Sequence, residues 1–455
     1  MALSRSRTLK KSSRKRPTRL LVRGGTLLTM VAGVPAAVAD LLIEDGVIQA
    51  IGPRLPCADA AVIEAGGMLV LPGFIQAHTQ LSHTLLRGQA AGRDYFTWLH
   101  DFAWPYEAQL SGEALTCAAR LGMAELLLGG TTSVLDVGPT RHQDGLFVEA
   151  ERMGLRYTGG QALIDQGQGY PAGLKQTADV SLAESDRLWR RWHNAAHGRL
   201  RYAYAPRGLL TTSASTLMRI AALAHERGVC VQLPIAETGD EAALVLEKLG
   251  KHAAQILAEV GLLAPHTVLT HGTWLTAQER RLIREGQAGV AHLPSTDLAL
   301  GGGVARVAEM RRDGLCVMIG CGSPSLSGHL DVLRELQLAA HLQDLKEGPG
   351  TLGGEALLSM VTAQAAQALG LPEVGVLAAG KRADLVLWDL QAPHGSPCLR
   401  DLATRFIQSA RAADAHTVIV DGIVRVKARK LLGVKVGELV VTAQRLGEQL
   451  LARIG

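Results

Sequence analysis

A parallel (β/α) barrel beside a small β unit assembled from both chain ends is the fold class this sequence predicts. Three observations carry it. The chain has 455 residues, too many for one ordinary core and well suited to a large barrel with a smaller companion. Both ends are rich in short, glycine-punctuated apolar segments. The middle alternates helical stretches with short apolar strands at spacings of roughly 30 to 40 residues, the rhythm of successive βα units. A doubly wound open sheet has a similar rhythm and stands as the alternative.

In chain order, the first segment is "MALSRSRTLKKSSRKRPTR", residues 1–19, with eight basic residues and no acidic one. The net charge of +5 therefore belongs to this segment, and the remainder sits at −3. It lacks the apolar core of a secretory signal. A solvated, disordered basic tail is expected, with nucleic-acid or anionic-surface attachment as the alternative. Next, "RLLVRGGTLLTM" and "DLLIEDGVIQAIG" read as short strands with turns at Gly24-Gly25 and Asp45-Gly46. The run "GGMLVLP" reads as a strand that ends in a turn and leads into "GFIQAHTQLSHTLLRG".

In the middle, "SGEALTCAARLGMAELLLGG", "TLMRIAALAHERG" and "AQERRLIREG" read as helices. Between them "TTSVLDV", "VCVQLPIA", "HTVLTHG", "AGVAHLP" and "LCVMIGCG" read as strands. No GxGxxG follows the first of these, which weakens a dinucleotide-binding reading, and the glycines 301–303 precede no GK[ST]. The β texture returns in "GKRADLVLWDL" and "HTVIVDGIVRVKARKLLG". The expected organisation is a tail at 1–19, a β part at 20–72, a barrel at 73–369, and a second β part with a C-terminal helix at 370–455.

Composition is globular, with 47% hydrophobic and 20% charged residues. No stretch approaches the roughly 18 uninterrupted apolar residues of a membrane span. Six scattered cysteines form no CxxC pair; reduced, mostly buried thiols and a cytoplasmic address are expected.

Barrel chemistry gathers where strands end at their C-terminal side. Those ends read His78 and Gln80, Asp136, Pro206, Pro234 with Glu237, His271, His292 and Gly322. Polar groups recur where apolar strands stop, which is a site-like constellation. A strand end presenting His-x-His is a common start for a metal site, because alternate residues point to one side; here the second histidine is Gln80.

Taken together, "VLPGFIQAHTQLSHTLLRG", "DYFTWLHDFAWPYEAQLS", "GMAELLLGGTTSVLD", "VQLPIAETGDE", "VLTHGTWLT", "VAHLPSTDLALGGG" and "GVLAAGKRADLVLWDL" resemble the amidohydrolase superfamily. Within it they are similar to the nucleobase, S-adenosylhomocysteine and triazine-type (chlorohydrolase-like) aminohydrolases, from about residue 20 to about residue 440. The resemblance implies a distorted TIM (β/α)8 barrel with a β-sandwich built from both termini. It also implies hydrolysis, by deamination, of C–N bonds in heterocycles by water on one zinc or iron ion, which lowers the water pKa to about 7. A glutamate shuttles the proton.

Position by position, the resemblance makes His78 a metal ligand, His271 a ligand or assisting histidine, and Glu237 the proton shuttle. His271 and Glu237 are thus the catalytic candidates. The other ligand positions fall on Gln80, Pro234 and Gly322. Proline and glycine offer no side-chain donor, and a neutral glutamine oxygen suits zinc poorly. Zinc or iron is therefore expected to be absent or weakly held. His83, Trp98 and His292 are candidates for substrate binding, with Trp104 beside them, and Cys321, His83, His292 and His329 are donors a rebuilt site could borrow. Alternation along a strand nevertheless turns Cys321 away from the barrel if Gly322 faces inward.

Three functional readings follow: a ligand- or partner-binding relative with weak or no catalysis, which the three replacements favour; an active hydrolase with a rearranged metal site or a metal-free mechanism; and a subunit supporting an intact homologue. Expected partners are a small heterocyclic ligand, a second copy in a homodimer, or that homologue, with no membrane, and nucleic acid only through the basic tail.

Overall fold

A computed structural model describes residues 19–56, 58–397 and 401–454. The tail expectation, apart from Arg19 in the first strand, and Cys57 and Cys398 lie outside the described residues.

Eight parallel strands form the barrel: Phe74–Thr79, Thr131–Val137, Arg156–Gly160, Leu200–Pro206, Cys230–Ile235, Thr267–His271, Gly289–His292 and Cys316–Ile319. Each pairs in parallel with the next. The sheet closes on itself through a parallel bridge between Thr79 and Gly322. There Gln80 N donates to Gly322 O at 3.1 Å and Gly322 N donates to His78 O at 3.2 Å. Closure decides for the barrel against the open sheet.

The helices are bounded by their own sequence. Gly112–Leu128 starts at Ser111, whose hydroxyl accepts from Ala114 N, and stops at Gly129-Gly130. Ala277–Glu285 starts with a capping box between Thr276 and Glu279. Ala214–Arg227 ends at Gly228 with φ +61°, the left-handed C-terminal position that favours glycine.

The two chain ends build a nine-stranded mixed sheet in which eight strands follow one hydrogen-bonded path and Ala61–Glu64 pairs with Arg19–Leu27 off it. Leu69–Pro72, the "LVLP" run before the His78 segment, belongs to this sheet, between Arg19–Leu27 and Leu385–Trp388. The chain crosses into the barrel at Gly73, where a Cβ would lie 2.1 Å from Thr132 Oγ1, so only glycine permits the crossing. Asp45-Gly46 is the expected turn, both residues having positive φ. Gly24-Gly25 is not a turn: it lies within strand Arg19–Leu27 as an irregularity in the pairing with Ala37–Glu44, and Gly24 N donates to Asp40 Oδ1 instead.

The sheet and the barrel are joined by a buried ion pair, Arg156 to Asp384, at 3.0 and 3.1 Å. Trp388 packs beside it on Phe74 and Phe406, with centroids 5.4 and 5.0 Å apart. The final helix, Val436–Ile454, lies on Gly112–Leu128. No helix of the described residues is long and apolar enough to cross a membrane.

Candidate active site and the metal it lacks donors for

A cleft opens at the C-terminal ends of the strands, as barrel chemistry requires. His78, Gln80, Tyr95, Trp98, Trp104, Pro206, Arg207, Gln232, Pro234, Glu237, Thr270 and His271 line it. The first, fifth and sixth strands thus bring His78, Glu237 and His271 together with Trp98, and Gln80 and Pro234 join them.

One wall is made of His78, Gln80, Gln232 and Pro234. His78 Nδ1 lies 3.1 Å from Gln232 Oε1, and Gln232 Nε2 donates to Asp136 O at 2.8 Å. The ring therefore presents Nε2 as its free nitrogen. Burial, then the charge of His271, lowers the His78 pKa to about 3. Pro234 sits beyond the last registered pair with the fourth strand, which ends at Tyr204 and Val231; a residue with no N–H is tolerated there.

The opposite wall is charged. His271 has φ +72°, and Ala236, before Glu237, has φ +45°. Both are left-handed non-glycine residues, a conformation that costs energy and collects at functional sites. His271 lies between two carboxylates: Nδ1 is 2.7 Å from Asp297 Oδ1, and Nε2 is 3.3 Å from Glu237 Oε1. Burial opposes a charged ring, but the charge of Glu237 and the hydrogen bond to Asp297 lift its pKa to about 9. Burial also raises Glu237, and it pushes Glu241 behind it up to about 7. Burial works against the Asp297 carboxylate as well, yet the hydrogen bond and charge of His271 hold it below the ordinary range.

The remaining candidates lie elsewhere. His83 is fully buried off the cleft, with Nδ1 2.9 Å from Ser323 Oγ and Nε2 3.1 Å from Glu107 Oε1; Arg207 donates to the same Glu107 oxygen at 2.8 Å. His83 thus braces Arg207, a cleft residue, and does not itself line the cleft. His292 is likewise buried, its Nδ1 3.4 Å from Asp297 Oδ2, and it stands behind the His271 wall. Asp136 accepts from Leu81 N at 2.8 Å and Tyr157 Oη at 2.9 Å, so it holds the barrel wall together. Cys321 faces away from the barrel interior, in the buried core beyond the strands with His329 and Glu335 close by. It therefore joins neither His78 nor His271.

Asp297, Gln232, Arg207 and Glu107 escaped the sequence reading. Gln232 carried a usable signal: it is two residues from Pro234 on one strand, so both face the same side. Asp297 carried none, because its approach to His271 depends on how the helix Pro294–Ala299 follows the seventh strand.

The donor set does not fit a catalytic metal. Among the described residues, the only trio of His, Cys, Asp or Glu donors within 4.8 Å of one another is Cys321, His329 and Glu335, outside the cleft. His78 and His271 stand with ring centroids 6.4 Å apart, and both nitrogens of His271 face carboxylates. Nor is Gly322 an aspartate site with its side chain trimmed. Its φ is +63°, and a Cβ there would lie 2.4 Å from Thr296 Oγ1. Thr296 therefore blocks a side chain at Gly322 as the backbone stands, where a catalytic zinc needs three protein ligands.

A closed parallel barrel with this mouth, joined to a mixed sheet from both termini, defines a class, and the sequence assigns it: the chain belongs to the amidohydrolase family, whose model matches residues 69–424. It is 31% identical over 414 residues to a 5'-deoxyadenosine deaminase of Methanosarcina acetivorans, covering 91% of this chain and 94% of that one. It is 32% identical over 415 residues to a 5-methylthioadenosine/S-adenosylhomocysteine deaminase of Desulforamulus reducens, covering 89% and 92%. An adenosine deaminase from Xanthomonas campestris with bound zinc superposes with a TM-score of 0.89 at 26% identity, over 96% of this chain and 99% of that one. The zinc-complexed atrazine chlorohydrolase of Arthrobacter aurescens TC1, at 24% identity and a TM-score of 0.88 over 94% and 100%, shares the fold.

Proposed function

We propose that this chain binds a flat, purine-like heterocycle in the barrel mouth and hydrolyses it weakly or not at all. The observation that carries this reading is a cleft that keeps polar groups for a ring while lacking donors for a metal. Gln80 Oε1, Trp98 Nε1 and Thr270 Oγ1 are buried without hydrogen-bond partners, and all three residues line the cleft. Buried polar atoms are normally paired, and the edge of a heterocycle offers the donors and acceptors these lack. The indoles of Trp98 and Trp104 supply flat apolar surface beside them. The relatives' names point to adenosine-type nucleosides as the compounds to try first.

A second reading has one observation in its favour. Glu237 and His271 keep an acid–base contact of 3.3 Å, so metal-free hydrolysis is available in principle. Positioned proton transfer contributes about 10²- to 10⁴-fold, without the activated hydroxide that a metal supplies. Such a reaction would be slow.

The test combines binding, turnover and metal content of the purified protein, with no metal added. Adenosine-type nucleosides, guanine and triazines are titrated by calorimetry and assayed for ammonia release. The expected result is saturable binding with little or no turnover. Near-stoichiometric zinc, iron or manganese that is lost in His78→Asn, together with rapid deamination, would overturn the proposal.

A further inference from the structure

Behind the eighth strand, on the side away from the cleft, Cys321, His329 and Glu335 converge. Cys321 follows the strand Cys316–Ile319, His329 follows the short turn Pro324–Ser327, and Glu335 sits in the first turn of Val332–Glu347. Their exposures are 0%, 5% and 0%. One donor atom from each lies within 4.8 Å of the other two.

Glu335 shows what the cluster lacks. Oε2 accepts from Ser295 N at 3.0 Å, but the buried Oε1 has no hydrogen-bond partner. It points toward His329 Nε2, 3.5 Å away. No lysine or arginine pairs with Glu335 among the described residues. A fully buried carboxyl group is normally paired, coordinates a metal or holds a proton. Burial pushes the Glu335 pKa up to about 8, and its Oε1, without a hydrogen-bond partner, faces a thiol and an imidazole.

We propose that Cys321, His329 and Glu335 form a binding site for zinc(II), separate from the barrel mouth. Thiolate, imidazole and carboxylate are the zinc donor types. Tetrahedral bonds of about 2.0–2.1 Å put a nitrogen and an oxygen donor about 3.3 Å apart, close to the observed 3.5 Å. Three protein donors leave one position open. On binding, the Cys321 thiol and the Glu335 carboxyl, which burial pushes up to about 8, each release a proton to solvent and become thiolate and carboxylate ligands. The imidazole proton passes from Nε2 to Nδ1, and both the 3.4 Å contact of Nε2 with Ser295 Oγ and the 3.2 Å hydrogen bond from Asp331 N to Nδ1 give way. The site ties the end of the eighth strand to the next helix, so its role is to brace that corner.

The proposal does not rest on the reading of the cleft, and cobalt(II) titration of the chelator-stripped, full-length protein separates the two. The expected result is one equivalent bound with thiolate-to-cobalt charge-transfer absorption, displaced by zinc. Cys321→Ser abolishes that band, Glu335→Gln and His329→Asn weaken binding about tenfold or more, and Cys117→Ser and His78→Asn leave it unchanged. Circular dichroism checks that each variant folds; if Cys321→Ser does not, Glu335→Gln decides. Absence of the band, its persistence in Cys321→Ser, or unweakened binding in Glu335→Gln would overturn the proposal. Cobalt bound without a thiolate band and lost in His78→Asn would overturn both this site and the metal-poor reading of the cleft.

Discussion

The two walls of the cleft hold the same kind of residue in opposite states. His78, on the wall of Gln80, Gln232 and Pro234, is a neutral ring with a pKa lowered to about 3. His271, with ring centroid 6.4 Å away, is a charged ring between two carboxylates with a pKa near 9. Both are buried, so burial alone does not separate them. What separates them is carboxylates: Glu237 and Asp297 flank one histidine, and only an amide meets the other. The missing donors Gln80 and Pro234 fall on the neutral wall, while the charged wall keeps its acid–base pair. Each wall therefore predicts a different response to mutation and to pH.

The largest effect is expected from Asp297→Ala. Removing one partner of a buried ion pair costs about 3–5 kcal/mol, and urea unfolding should show a loss of that size. A loss under about 1 kcal/mol would mean that His271 is neutral and the contrast between the walls is false. Next is Glu237→Gln, which should lower any residual deamination by about 10²- to 10⁴-fold. An unchanged rate would remove Glu237 from the chemistry.

The pH profiles follow with opposite signs. Between about pH 6.5 and 9 the folded protein holds a proton on His271 that the unfolded chain has lost. Its contribution is therefore full below pH 6.5 and disappears as the pH rises through 9. Between about pH 3 and 6.5 the unfolded chain binds a proton that buried His78 refuses. Its contribution is full above pH 6.5 and disappears as the pH falls through 3. Melting temperatures of His271→Asn and His78→Asn across this range check both: the first should flatten the alkaline limb, the second the acid limb. The reverse assignment would exchange the walls. The smallest effect is expected from Trp98→Phe. Loss of one hydrogen-bond donor to the ligand should weaken heterocycle binding by about 0.5–1.5 kcal/mol, measured by calorimetry. Equal affinity would show that the unpartnered indole N–H does not meet the ring.

Legibility in the sequence followed locality. Five of the barrel strands are apolar runs bounded by glycine, proline or a charge, and the helices Gly112–Leu128, Ala214–Arg227 and Ala277–Glu285 carry their own caps, so they read directly. Arg156–Gly160 does not read as a strand, because "RYTGG" has polar, aromatic and glycine residues in place of an apolar run, and Leu200–Pro206 reads only through its end at Pro206. At Gly24-Gly25 the glycine pair signalled a turn, while pairing with Ala37–Glu44 kept the strand running through it. Leu69–Pro72 read as the strand leading to His78; strand partners far away in the chain assigned it to the terminal sheet. His83 and His292 had the residue type of cleft groups and the burial of bracing ones, a distinction that needs coordinates.

The sequence alone determined the βα rhythm of the middle and the identity of the side chains at the strand ends, because apolar period, caps and donor chemistry are local properties. Its resemblance to the amidohydrolases then put proline and glycine at positions where that family has metal donors. Only the tertiary structure decided where those ends point. It closed the barrel at Thr79 and Gly322, set Asp297 against His271, and gathered Cys321, His329 and Glu335 behind the eighth strand. The physical reason is that charge state, pairing and coordination depend on distances of about 3 Å between residues far apart in the chain, and no local pattern encodes those distances.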